Sequence, residues 1–310
     1  MGLFLLMDWS QAQKQLSESL VPLYGQREAA LITDWVLEAL SGLRRLERML
    51  LKTEPLSAEA SEKFRRYSDQ LLSHRPVQYV LGESWFAGMR FFVDEHVLIP
   101  RPETEELVDW VVRDVTAASG SPAIAGESEG STTAGSPAIT GGVLLDVGTG
   151  SGCIAVTLAK KLPSVAVHAV DVSGGALGVA RRNAEALDAR VSFHQLDFLE
   201  EGSWAGLPRV RWLVSNPPYV PLREKETMDP HVTGSEPSLA LFVPDEDPLC
   251  FYRALGAFAR SRLEKGGALF AEIHEQSGPA VSRLFQTMGA TGVVVRKDLQ
   301  GKERMIKAIW

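Results

Sequence analysis

Val143-Leu144-Leu145-Asp146-Val147-Gly148-Thr149-Gly150-Ser151-Gly152 decides how the rest of the chain reads. An apolar run of strand length meets a cluster of glycines, and Ile154 to Leu162 continue with helical spacing. A strand, a glycine turn and a helix form the opening half of a parallel β-α-β unit. The pattern then repeats. Strands are expected at Val165–Val170, Val191–Gln195, Trp212–Ser215, Ala268–Ile273, Val293–Val295 and Met305–Ile309. Helices are expected at Ala176–Leu187, Phe251–Leu263 and Val281–Met288. Such alternation predicts an open, mostly parallel sheet with helices on both faces.

Ligands of such sheets bind at the carboxyl ends of the strands. Glycine lets the backbone turn tightly and lets a ligand come close. Asp171 ends the second strand, where a carboxylate meets ribose hydroxyls, and Asp197-Phe198 follow the third. Together they predict a nucleoside site, with ribose on Asp171 and the base between Asp197 and Phe198. The dinucleotide fingerprint needs a glycine where Cys153 stands. Asp146, Asp171 and Asp197 would also repel a diphosphate. A carrier with one ribose, one base and a cationic amino-acid tail fits better, which describes S-adenosylmethionine.

Asn216-Pro217-Pro218-Tyr219 follows the apolar run Trp212-Leu213-Val214-Ser215. Two prolines remove two backbone donors and fix two φ angles, so the chain leaves the sheet in a rigid loop. An amide oxygen and a backbone carbonyl can each accept one hydrogen of a planar –NH2 group, and a tyrosine ring can lie against it. The loop therefore suits a flat substrate nitrogen.

Residues 1–74 lack strand signals and read as a small helical domain. Leu16, Leu20 and Leu23 share a face; Ala30, Leu31, Asp34, Trp35 and Leu37 mark another stretch; Leu43, Leu46, Met49 and Leu50 follow similar spacing. Ser57 is placed to cap a helix reaching Leu72. Residues 75–100 contain Trp85-Phe86-Ala87-Gly88-Met89-Arg90-Phe91-Phe92-Val93, a hairpin expected to link two domains. Arg101-Pro102-Glu103-Thr104-Glu105-Glu106 opens a helix, with proline and acids in its first turn. Capping explains the acids and Pro102 but not Arg101. Residues 117–142 repeat Gly-Ser-Pro-Ala-Ile and hold few bulky apolar side chains, so a flexible surface insertion is expected within the 101–310 domain.

Composition narrows the function. The 310 residues are 45% hydrophobic and 23% charged, as in ordinary globular proteins. A net charge of -7 argues against a broad nucleic-acid-binding face. Two cysteines are too few for a disulfide framework or a cysteine metal site. Gly2-Leu3-Phe4-Leu5-Leu6-Met7 is too short for a signal peptide, and no run approaches the ~20 apolar residues of a membrane span. A cytoplasmic protein is expected.

In order along the chain, Asp146–Gly152, Asp171, Asp197 and Asn216–Tyr219 resemble the Rossmann-like methyltransferases that act on planar nitrogens. With Arg101-Pro102-Glu103-Thr104 ahead of them, they resemble the bacterial peptide-chain-release-factor N(5)-glutamine methyltransferases. Glu236-Pro237, Leu239-Ala240-Leu241 and Lys297-Asp298-Leu299-Gln300-Gly301 agree. The resemblance spans roughly residues 70 to 310. It implies an α/β, Rossmann-like seven-stranded methyltransferase domain with a small N-terminal helical bundle, which reads either as a packing or oligomerisation domain or as the module that binds the release factor. It implies S-adenosylmethionine held by Gly148, Thr149, Gly150, Ser151, Gly152, Asp171, Asp197, Phe198 and Asn216. The glutamine of a Gly-Gly-Gln loop in class 1 release factors would meet Asn216, Pro217, Pro218 and Tyr219, with Phe86 walling the pocket. The long 117–142 connection and His274, where the family more often has a small residue, depart from the pattern. His274 reads as a loop or packing residue, and no metal is expected. The competing reading is an amino-methyltransferase of nucleic acid, since adenine also offers a planar –NH2. A donor-binding protein without catalysis is a third.

Overall fold

The computed structural model describes residues 7–118, 141–227 and 234–310. The repeated Gly-Ser-Pro-Ala-Ile segment lies outside them. Two compact units divide after Glu83.

The first unit is helical. Helix α1 (Trp9–Ser41) starts at a reciprocal cap: Gln11 N donates to Asp8 Oδ1 at 2.8 Å and Asp8 N to Gln11 Oε1 at 3.1 Å. Its path breaks at Gly25, where φ is 72°. Helix α2 (Arg45–Arg48), a 3₁₀ turn at Met49–Leu51, α3 (Ala58–Leu72) and α4 (Val77–Leu81) follow. Ser57 caps α3 by accepting Ala60 N. The core joins Leu16 and Leu20 with Ile32, Val36 and Leu37 of α1, Phe64 and Leu71 of α3, and Val77 and Val80 of α4.

Three expectations change here. Leu31 and Trp35 are 50% and 46% exposed, and the buried stripe runs one position later, through Ile32 and Val36. Both stripes are apolar with the same spacing, and the break at Gly25 resets the phase that would choose between them. Leu46, Met49 and Leu50 are also solvent-exposed. Their segment is a four-residue helix and a 3₁₀ turn, too short to hold a helical stripe in one direction. The helices also continue beyond residue 74, because α4 belongs to this core.

The second unit opens with a hairpin, β1 (Ser84–Phe86) and β2 (Met89–Phe91). Its turn residues Ala87 and Gly88 both have positive φ, 49° and 76°, which matches the twist of a two-residue hairpin. Helix α5 (Pro102–Ala118) follows. Strand β3 (Val143–Val147), α6 (Cys153–Lys161), β4 (Ala166–Asp171), α7 (Gly174–Ala186), β5 (Val191–Gln195) and β6 (Val210–Ser215) then alternate. A short pair, β7 (Val220–Pro221) with β8 (Phe242–Val243), brackets α8 (Ser238–Leu241). Helix α9 (Cys250–Arg262), β9 (Leu263–Glu272), α10 (Gly278–Thr287), β10 (Gly292–Lys297) and β11 (Glu303–Ile309) complete the chain.

Seven strands form one sheet in the order β10-β11-β9-β6-β3-β4-β5. Strands β3, β4, β5, β6 and β9 run parallel, and β11 runs antiparallel to both neighbours. Both faces are covered, which is why the central strands read as continuous apolar runs. Leu144, Val214 and Phe270 pack on one side with α5 and α6. Leu145, Leu213 and Leu269 pack on the other with α9 and α10. Strand order reverses beside β3, so the loops after β3 and β6 open a crevice at the carboxyl ends.

Candidate active site

The crevice is a cleft of about 260 Å³, near the low end of small-ligand sites. The turn after β3 is pinned from below: Gly148 N and Thr149 N both donate to Val170 O, at 2.9 and 3.0 Å. Gly148 and Gly150 have φ of 71° and 52°, and a Cβ on either would enter open space. The bare backbone at these two glycines leaves a cradle that side chains would fill. Asp171 organises the cradle, accepting Gly150 N on Oδ2 and Ser173 N on Oδ1, each at 2.9 Å. Burial pushes its carboxyl up, and these backbone donors oppose the rise. Asp197 and Phe198 also line the cleft. Phe198 is held by Trp204 and Phe258, both with ring centroids 5.3 Å away. The residues present therefore fit S-adenosylmethionine: an uncovered glycine backbone, a carboxylate for ribose and an aromatic wall.

Asp146 lies beneath the turn, fully buried, and accepts the Thr149 hydroxyl on Oδ2 at 2.6 Å. Burial pushes its carboxyl up to about 7. Gly152 does not line the cleft. A Cβ there would sit 3.1 Å from Ala180 Cβ, so this glycine lets α6 approach α7.

The acceptor side is built around Asn216. Ser215 donates its hydroxyl to Val147 O at 2.7 Å, tying the ends of β6 and β3 together. Asn216, Pro217 and Pro218 line the cleft, and Asn216 Nδ2 donates to Thr104 Oγ1 at 3.1 Å. Tyr219 is placed differently from expectation. It is not among the cleft-lining residues, and its hydroxyl donates to Glu272 Oε1 at 3.0 Å while its ring meets His274 edge-on at 6.2 Å. Phe86 also differs. It is 1% exposed and packs edge-on against Phe91 in the core, because the short hairpin turns that side chain inward.

Arg101, left over by helix capping, donates from Nη2 to both Glu236 oxygens at 2.7 Å. It holds Glu236-Pro237 beside the start of α5, and Arg101 and Pro237 both line the cleft. Asn183 was not foreseen at all. Only 1% exposed, it bonds Phe92 N and Phe92 O and also Ser151 O, joining the hairpin exit to the glycine turn. An asparagine inside an apolar helical stripe was the available signal. No group of metal-ligating side chains occurs among the described residues.

A seven-stranded sheet of this order, with a cleft at its carboxyl ends, is the fold of a Rossmann-like S-adenosylmethionine-dependent methyltransferase. The family models agree: Methyltransferase small domain matches residues 135–233, and PrmC N-terminal domain matches residues 9–82. Release factor glutamine methyltransferases from Bacteroides thetaiotaomicron and Chlorobaculum tepidum are 37% and 42% identical. The first alignment covers 94% of this chain and 97% of the relative, the second 89% of each. The relative from Flavobacterium psychrophilum is 34% identical over 94% of this chain and 96% of its own. The chain belongs to the release factor glutamine methyltransferase family. A solved hMettl16 catalytic domain in complex with the MAT2A 3′UTR hairpin 6 shares the fold at a TM-score of 0.51 and 14% identity, each chain covered over 82%. No helix among the described residues is long and apolar enough to cross a membrane.

Proposed function

We propose that this protein transfers a methyl group from S-adenosylmethionine to the side-chain amide nitrogen of the glutamine in the Gly-Gly-Gln loop of class 1 peptide chain release factors. The observation that carries the reading is the Asn216 amide, held at the cleft with Nδ2 committed to Thr104. Its remaining acceptor, Oδ1, takes one N–H of the glutamine amide, and the Pro217 carbonyl takes the other. The residues of the glycine turn, with Asp171, Asp197 and Phe198, hold the cofactor. When bound, that cofactor supplies a methyl group already activated on a sulfonium.

An amide nitrogen is a weak nucleophile because its lone pair is delocalised. Two fixed acceptors aim it and confine it, which is the main contribution open to this site. The same acceptors stabilise positive charge that develops on nitrogen. Cytoplasmic residence agrees with a substrate that acts in translation, and the net charge of -7 supports a protein acceptor over nucleic acid.

The test is methyl transfer from labelled S-adenosylmethionine to a purified, folded release factor, with the product located by peptide mass spectrometry. The expected product is methylglutamine in the Gly-Gly-Gln loop. Asn216→Ala should lower turnover about 10²–10³-fold, as loss of one transition-state partner does, with donor affinity nearly unchanged. Transfer only to RNA or DNA, or donor binding without turnover on any acceptor, would overturn the reading.

A further inference from the structure

Four separated stretches of sequence meet at one carboxylate. Glu272, the last residue of β9, is 2% exposed. Its Oε2 accepts the Thr104 hydroxyl at 2.7 Å, and its Oε1 accepts the Tyr219 hydroxyl at 3.0 Å. Thr104, also 2% exposed, in turn accepts Asn216 Nδ2. Arg304 on β11 is anchored by Asp298 at 3.2 Å; burial pushes the Glu272 carboxyl up, and the Thr104 and Tyr219 hydroxyls and the Arg304 charge oppose that rise. Thus the Arg101–Thr104 stretch, the proline loop, the end of β9 and the Lys297–Gly301 turn, whose Asp298 anchors Arg304, share one network.

The direction of that network follows from counting hydrogens. Glu272 accepts on both of its oxygens, and a threonine hydroxyl has one hydrogen to give. Thr104 spends its hydrogen on Glu272, so it can only accept from Asn216. The Asn216 amide must therefore turn its nitrogen inward and leave its oxygen for the cleft. Tyr219, bonded to the other oxygen of the same carboxylate, fixes the far end of the proline loop. Glu272 thereby sets both ends of Asn216-Pro217-Pro218-Tyr219.

We propose that Glu272 is a positioning residue for methyl transfer, acting through Thr104 to present Asn216 Oδ1, rather than Nδ2, to the substrate amide. The proposal rests on the reading of Asn216 as the acceptor for that amide. A carboxylate that merely stabilised the fold would give a different pattern of losses on substitution.

The experiment compares Thr104→Val, Thr104→Ser and Glu272→Gln in the full chain, with S-adenosylmethionine and a folded release factor. Valine keeps the shape of threonine and removes the relay, while serine keeps the relay. Thr104→Val should lower kcat about tenfold or more, the scale of one net hydrogen bond, with donor Kd near wild type and a thermal midpoint lowered by the buried groups it leaves unpaired. Thr104→Ser should restore kcat to within about threefold, on the same hydrogen-bond scale. Glu272→Gln introduces an NH2 group that competes to donate inward, so kcat should fall while donor binding persists. Should Glu272→Gln not fold, the two Thr104 variants decide alone. A folded Thr104→Val with wild-type kcat would overturn the proposal, as would equal losses in the valine and serine variants. Asn216→Ala, run alongside, separates the two layers: full turnover there would sink the acceptor reading itself, whereas a loss there with none in Thr104→Val would sink only the role of Glu272.

Discussion

Removing the Arg101 guanidinium strands a buried carboxylate, and the consequence can be worked from the geometry. The Glu236 side chain is 2% exposed and that of Arg101 34%, with both Glu236 oxygens 2.7 Å from one guanidinium nitrogen. Breaking a buried pair from one side costs about 3–5 kcal/mol. Water already reaches the arginine end, so Arg101→Met should lose only about 2–3 kcal/mol, below that range. Burial pushes the Glu236 carboxyl above its ordinary 4.5, and Arg101 opposes that rise. Without Arg101 the carboxyl rises further. A raised carboxyl favours the folded state below its unfolded value and loses that advantage as pH climbs through the folded value. The deficit of Arg101→Met should therefore be largest above neutrality and shrink as pH falls toward 4.5. Urea unfolding at pH 8 and pH 5 measures it. The double variant with Glu236→Gln should recover most of the loss at pH 8, because no charge is then left unpaired. A loss under about 0.5 kcal/mol with no pH dependence would place the pair among ordinary surface ion pairs and refute the argument.

Two further perturbations separate the roles in the glycine turn. Gly150→Ala meets no neighbour within 4 Å at φ +52°, so it should cost only the left-handed strain of about 1–2 kcal/mol while weakening donor binding measured by calorimetry. Gly152→Ala adds a contact 3.1 Å from Ala180 at φ +80°, so its thermal midpoint should fall further while donor binding at equal folded fraction stays closer to wild type. Asp146→Asn keeps an acceptor for Thr149 and removes a carboxyl raised from 3.8 to about 7. At about 1.36 kcal/mol per pH unit, that raised value makes the cofactor-free wild type lose up to about 4 kcal/mol as pH rises through this interval. Asp146→Asn should flatten that decline in unfolding measurements between pH 4 and pH 8, and an unchanged slope would show that Asp146 is solvated.

The alternating half of the chain was legible because a parallel sheet covered on both faces must be written in apolar runs. The strand expected at Val191–Gln195 is β5 to the residue. Strand β9 begins five positions earlier than expected, at Leu263, because Glu264-Lys265-Gly266-Gly267 has the composition of a turn. In the helical unit, side-chain spacing found the helices but not the buried face, since Leu31 and Trp35 compete with Ile32 and Val36 on equal terms. At the site, the structure brings the contiguous stretches Gly148–Ser151 and Asn216–Pro218 to one cleft. Tyr219 and Phe86 were misplaced because their identity suits a pocket wall, while their direction depends on partners distant in sequence. Arg101 stood out as unexplained by capping and as part of the Arg101–Thr104 stretch, but neither pointed to its partner, which lies 135 positions away.

The spacing of those partners also governs when each half of the crevice can come into being. The cofactor cradle closes over a span of 21 residues, from Gly150 to Asp171. The acceptor side needs Thr104 to find Asn216 across 112 residues and Glu272 across 168. Closing long loops is slow compared with local pairing. The acceptor side therefore depends on the completed topology more than the glycine turn does.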